Sequence, residues 1–201
     1  MGAPVQIIVY IDSCTWNYLY DRCVDLDVEL PRDRFSICVT REVEIELDAI
    51  PDAGRDGSDK RELKMYIKGN IERDRVRTSY VFGFQTTEPD GTLSPIQVCG
   101  GFDVGVWQSQ AERDFYDKPE VVQQMQSGRK IKSGLGKNQA DASLGAKSLS
   151  SIVLTNEAVE KSGPLKVATQ LGGKVVYLAA QVEPSGLGIG DYLLSIAKPA
   201  P

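Results

Sequence analysis

The feature that most constrains this chain is a set of short apolar runs, each leading into a helical or turn-forming pattern. "VQIIVYI" at 5–11, "RFSICVT" at 34–40, "SIVLT" at 151–155 and "KVVYLA" at 174–179 are rich in β-branched residues. Compact runs of this length, bounded by turn formers, read as buried strands. Helical patterns fill the spaces between them. One covers 15–22 and is opened by Ser13 or Thr15. Another covers 41–50, where Val43, Leu47 and Ile50 recur at three- and four-residue spacing. A basic helix is expected over about 59–73 and a small-residue helix over 138–149. A further helical stretch has Pro164 near its start and Gly172 at its end. Strands alternating with helices in this way predict an α/β fold around a mostly parallel sheet, in one domain spanning 1–201. The stretch from 52 to 136 reads as an insertion or elaboration. Within it, two aromatic, β-branched segments of 79–107 flank "EPDG" and suggest a β-hairpin. "SQAERDFYDKPEVVQQMQ" reads as a helical or mixed connector.

A parallel sheet gathers the carboxyl ends of its strands on one edge, and ligands of open α/β sheets bind there. The first strand runs directly into Asp12, and Glu157 lies two residues beyond the strand 151–155. Glu46 sits on the helix that follows the second strand. Asp141 heads the 138–149 helix after a glycine-containing basic loop. Each of these acids also has a plain structural reading. Asp12, Asp141 and Glu157 suit helix caps or first turns, and Glu46 suits a surface position among Glu42, Glu44 and Asp48.

The chain contains no histidine. That removes Ser-His-Asp and Cys-His nucleophilic systems and disfavours a conventional zinc enzyme, so acid–base or metal chemistry must rest on carboxylates. Cys14, Cys23, Cys38 and Cys99 show no Cys-x-x-Cys spacing and read as reduced, partly buried thiols. Charge is segregated. Residues 1–59 hold thirteen Asp and Glu against five Arg, a balance of −8. Residues 60–77 hold seven basic against three acidic side chains, a balance of +4, and "RKIKSGLGK" at 129–137 adds four basic residues. The pattern fits an acidic site beside basic contact surfaces, and equally fits solvated helix faces. No stretch approaches the ~20 apolar residues of a membrane span, and the N-terminus lacks a secretory signal pattern, so a cytoplasmic protein is expected.

"IIVYIDSCTW", "VTREVEIEL" and "NQADASLGAKSLSSIVLTNE" resemble, in order, the acidic motifs of PIN-domain nucleases. The likeness covers the first fifty residues and roughly 137–180. In that family an Asp ends the first strand, a Glu-Leu pair ends a helix opened by Thr, and an Asp-Ala pair heads a helix of small residues. That last helix leads into a strand closing on Thr-Asn-Asp. Asp12, Glu46, Asp141 and Glu157 fill the four acidic positions. One departure stands out: Glu157 follows Thr155-Asn156 where the family usually has Asp.

The resemblance implies a PIN-like three-layer fold and metal-dependent hydrolysis of a phosphodiester, with RNA the leading substrate. Oxygen ligands suit Mg²⁺ or Mn²⁺. Asp12 and Asp141 are the foremost expected ligands, Glu46 a third ligand or water orienter, and Glu157 the fourth acid. Ser13, Thr155 and Asn156 are expected to hydrogen-bond the ligand carboxylates. Nucleic acid is expected to meet Arg129, Lys130, Lys132 and Lys137, and Tyr80, Phe82 and Phe84 either stack unpaired bases or fill a core. Other readings stay open. The chain fits a catalytically inactive PIN-like module that binds RNA or a protein, or the toxin of a toxin–antitoxin pair. A protein partner or a homodimer is compatible with each. A hydrolase with Asp12 as nucleophile is disfavoured because position 14 is Cys, not a second Asp.

Overall fold

A computed structural model describes residues 6–54, 56–73, 75–84, 96–126 and 133–197. In chain order the elements are β1 (Ile7–Ile11), α1 (Thr15–Asp21), α2 (Leu26–Glu29), β2 (Phe35–Thr40), α3 (Arg41–Asp48), α4 (Arg61–Glu72) and β3 (Val76–Phe82). Then come β4 (Cys99–Gly100), β5 (Gly105–Val106), α5 (Gln110–Tyr116), α6 (Pro119–Gln126), α7 (Gln139–Ser148), β6 (Ile152–Thr155), α8 (Pro164–Gln170) and β7 (Lys174–Tyr177). A π-helical turn over Leu178–Val182, then α9 (Glu183–Ser185) and α10 (Ile189–Ala197), complete the described chain.

The strands form one seven-stranded sheet in the order β4-β3-β2-β1-β6-β7, with β5 also paired to β3. Every pairing between named strands is parallel, with Ile11 opposite Leu154, Tyr10 opposite Cys38 and Val39 opposite Thr78. The strands are apolar because the sheet is covered on both sides. Val9, Ile11, Ile37, Val39, Val153 and Leu154 are all buried. Helices α1 and α4 pack together as one group, while α3, α5 and α8 pack on α7 as another, which gives the expected three layers.

Helix α7 explains its own composition. Ala140, Ala142, Ser143, Leu144, Gly145 and Ala146 are buried because this helix is enclosed by its neighbours. A Cβ on Gly145 would lie 2.7 Å from the Phe115 ring of α5. Beneath that contact, Lys147 of α7 donates to Glu112 of α5 at 2.6 Å, both side chains nearly buried. The pair fixes the helix that carries Asp141.

Two expectations need correction. The helix after β1 is capped at Cys14, not Ser13 or Thr15, and without a side-chain hydrogen bond, so Asp12 is not its cap. The β-hairpin of 79–107 is replaced by parallel pairing, with Val81 opposite Cys99 in β4 and opposite Val106 in β5. Sixteen residues, 83–98, separate β3 from β4, enough for the crossover that parallel strands need. Aromatic and β-branched content marks a strand but not its direction. The "EPDG" turn, 88–91, lies outside the described residues. Part of the expected insertion is also integral to the sheet, since β3 pairs with β2 along Ile37–Thr40.

Candidate metal centre

Parallel pairing brings the ends of β1 and β6 side by side. The backbone N–H of Asp12 donates to Leu154 O at 3.0 Å, extending the ladder one residue past β1. Thr15 seals the junction, its hydroxyl donating to Leu154 O at 3.1 Å. The Asp12 carboxylate is thereby held at the carboxyl edge of the sheet, with the residue only 2% exposed. Hydrogen bonds compensate its burial. Thr155 Oγ1 donates to Asp12 Oδ2 at 2.7 Å, Cys14 Sγ to the same oxygen at 3.1 Å, and Ser13 Oγ approaches Oδ1 at 3.4 Å. Thr155 also accepts from the Glu157 N–H at 3.1 Å, so one buried hydroxyl positions both acids.

Asp12, Cys14 and Glu157 form a group that can hold a metal ion, with ligand atoms all within 4.8 Å of one another. Glu46 lies on α3, where the charges of Asp12 and Glu157 act on it. Asp141 arrives from the first turn of α7, and Asp12, Glu157 and Glu46 all bear on its carboxyl. Of the four acids expected from sequence, Asp12 and Glu157 fall within this group, while Glu46 and Asp141 lie outside it and feel its charge.

Their protonation shows the strain of crowding like charges. Burial, then repulsion from Asp12 and Glu157, pushes the Asp141 carboxyl up to about 7. Burial also raises Glu46, and raises Glu157 despite its bond from Lys161. The Cys14 thiol is pushed up by burial and then by the Asp12 charge, so it is protonated in the metal-free protein. Such a cluster takes up protons or binds cations.

Two members of the site escape the sequence reading. Cys14 lies in no recognisable metal spacing and joins the acids only because the turn after β1 folds back on itself. Lys161 brings an ammonium into the cluster. It pairs with Glu157 Oε1 and lies 3.8 Å from Asp141 Oδ2. No helical spacing signals this pair, because residues 157–161 form a turn after β6 and not a helix. Asn156 behaves differently from expectation. Its backbone N–H donates to Cys14 Sγ at 3.3 Å, while its side-chain Oδ1 is buried with no hydrogen-bond partner.

The acids grouped with Glu46 in the surface reading have other roles. Glu44 pairs with Arg41 and accepts from Thr78 at 2.6 Å, tying α3 to β3. Glu42 is half-buried beside Thr40 and Ser143 and is raised by burial. Much of the basic stretch 60–77 is engaged locally. Arg61 pairs with Asp59, Lys64 with Asp52 and Lys68 with Glu72, while Arg75 is buried against Leu26 O, Leu30 O and Asp27. Of the expected substrate contacts, Arg129, Lys130 and Lys132 lie outside the described residues. Lys137 is exposed and lines a cavity of about 510 Å³ with Glu42, Arg113 and Tyr116, which none of the four acids lines. Tyr80 is held by Glu44 and Arg41. Phe82 and Phe84 belong to a surface group with Phe102 and Trp107, whose ring lies 4.2 Å from Phe82, and Phe84 is 79% exposed. These rings sit at the end of β3 on the same edge of the sheet as the acids.

No family model, curated protein or solved structure matches this chain. Among the described residues no helix is long and apolar enough to cross a membrane.

Proposed function

We propose that the protein is a metal-dependent phosphodiesterase acting on single-stranded nucleic acid, RNA foremost, through a PIN-like site. The observation that carries this reading is the group of Asp12, Cys14 and Glu157 at the carboxyl edge of a parallel sheet, whose charge also acts on Glu46 and Asp141. The donor set fits a hard divalent ion, being dominated by carboxylate oxygens, with the buried, unpartnered Asn156 Oδ1 next to it in the chain. Asp12, Asp141 and Glu157 would hold Mg²⁺ or Mn²⁺. When bound, such an ion lowers the pKa of a coordinated water and neutralises charge on the phosphate.

The chain's own residues prepare that chemistry. Thr155 locks Asp12 and Glu157 in mutual register, and Ser13 approaches Asp12 from the other side. Glu46, whose affinity for protons is raised by burial, would orient a water and take its proton. The aromatic group of Phe82, Phe84, Phe102 and Trp107 offers ring faces to unpaired bases along the same edge. A second reading, a non-catalytic binding module, is favoured by one observation: Lys161 already pairs with Glu157, the position at which the resembled family carries Asp.

Incubating labelled single-stranded RNA and DNA with the protein in Mn²⁺, Mg²⁺ or EDTA separates the two readings. Metal-dependent cleavage that disappears in Asp12→Asn supports hydrolysis. Cleavage that persists in EDTA or in the variant overturns it, and binding without cleavage supports the module.

A further inference from the structure

We propose that Lys161 is a built-in second cation, so that the site takes one divalent metal ion, not a pair. The inference rests on the metal-site reading above and goes beyond it by fixing the stoichiometry. Lys161 Nζ bridges acids from two different elements, pairing with Glu157 in the loop after β6 and lying 3.8 Å from Asp141 Oδ2 on α7. Paired metal ions in phosphodiester-cleaving sites sit ~3.5–4 Å apart and share carboxylates. An ammonium within reach of both Glu157 and Asp141 occupies the oxygens that a second ion needs.

The position is built, not incidental. The Lys161 N–H donates to Ala158 O at 3.0 Å, closing the turn that faces Lys161 toward Glu157. Both acids it reaches are mostly covered, with side-chain exposures of 15% and 16%, while Lys161 itself is 49% exposed.

With one divalent ion bound, Lys161 would remain as a fixed positive charge beside Glu157 and Asp141.

Mn²⁺ binding, followed by electron paramagnetic resonance of free Mn²⁺ and by calorimetry, tests this directly. The wild type is compared with Lys161→Met and Lys161→Gln, and far-UV circular dichroism verifies that each variant is folded. The wild type is expected to bind one Mn²⁺ per chain. Both variants are expected to bind two, with the first at least tenfold tighter. If the wild type binds two ions, or if the variants bind one with unchanged affinity, the inference about Lys161 falls while the metal-site reading stands. If neither the wild type nor a variant binds Mn²⁺, both fall together.

Discussion

Replacing Asp141 with Asn should stabilise the metal-free protein, and by an amount that depends on pH. The carboxyl of Asp141 is raised from an ordinary 3.8 to about 7 by burial and by Asp12 and Glu157. A raised carboxyl pKa means that the folded state holds a proton that the unfolded chain has released. Below pH ~4 both states are protonated and the residue costs nothing. As pH rises through 4 to 7 the folded state is progressively penalised, and above about 7 the full cost applies. The shift of about 3 units corresponds to roughly 4 kcal/mol at ~1.36 kcal/mol per unit. Of this, about 2–3 kcal/mol develops between pH 5 and pH 8. Asn carries no charge and escapes the penalty, while Glu157 and Lys161 relax around it. Urea denaturation of both proteins in EDTA, at pH 5 and pH 8, measures the difference as a shift in midpoint at constant slope. The variant should be the more stable at pH 8, with the gap shrinking at pH 5. A variant less stable than the wild type at pH 8, or a gap that ignores pH, would refute the reasoning.

Other residues give equally direct tests. Thr155→Val removes the hydroxyl that donates to Asp12 at 2.7 Å and accepts from the Glu157 N–H at 3.1 Å, so Mn²⁺ affinity measured by calorimetry should fall about 10–100-fold. Lys147→Met strands the buried Glu112 carboxylate and should cost about 3–5 kcal/mol in urea denaturation. Adding Glu112→Gln should recover much of that loss, because the orphaned charge is then gone. Trp107→Ala removes a ring 4.2 Å from Phe82 and should weaken single-stranded RNA binding by about 1–3 kcal/mol in fluorescence anisotropy, with thermal stability little changed because Trp107 is 74% exposed.

How much of this was legible beforehand follows from what each signal encodes. The β-branched runs around Val9, Ile37, Val153 and Val176 betray themselves because a strand covered on both faces has no polar alternation to confuse it. The nearness of Asp12 and Glu157 was legible because each follows a strand, and a parallel sheet brings strand ends onto one edge. Pairing direction was not legible at 79–107. Strand propensity reports that a segment suits a pleated surface, and only the length of chain between β3 and β4 carries information on direction. Cys14 was hidden because its role depends on a backbone turn that brings Asn156 N to its sulfur. Lys161 was hidden because it lies beyond the motif that names Glu157, and a lysine near acids on paper resembles any surface ion pair. The composition of 60–77 left a contact surface and solvated helix faces equally open, and the structure shows Arg61, Lys64, Lys68 and Arg75 engaged by neighbouring acids and carbonyls.

The central claim is that these acids hold a divalent ion, and diffraction from a crystal soaked in Mn²⁺ tests it most directly. An anomalous peak in contact with carboxylate oxygens of Asp12 and of at least one of Asp141 and Glu157, at about 2.0–2.6 Å, is the result predicted. A crystal with no peak at these acids, or with Mn²⁺ bound only elsewhere, would contradict it.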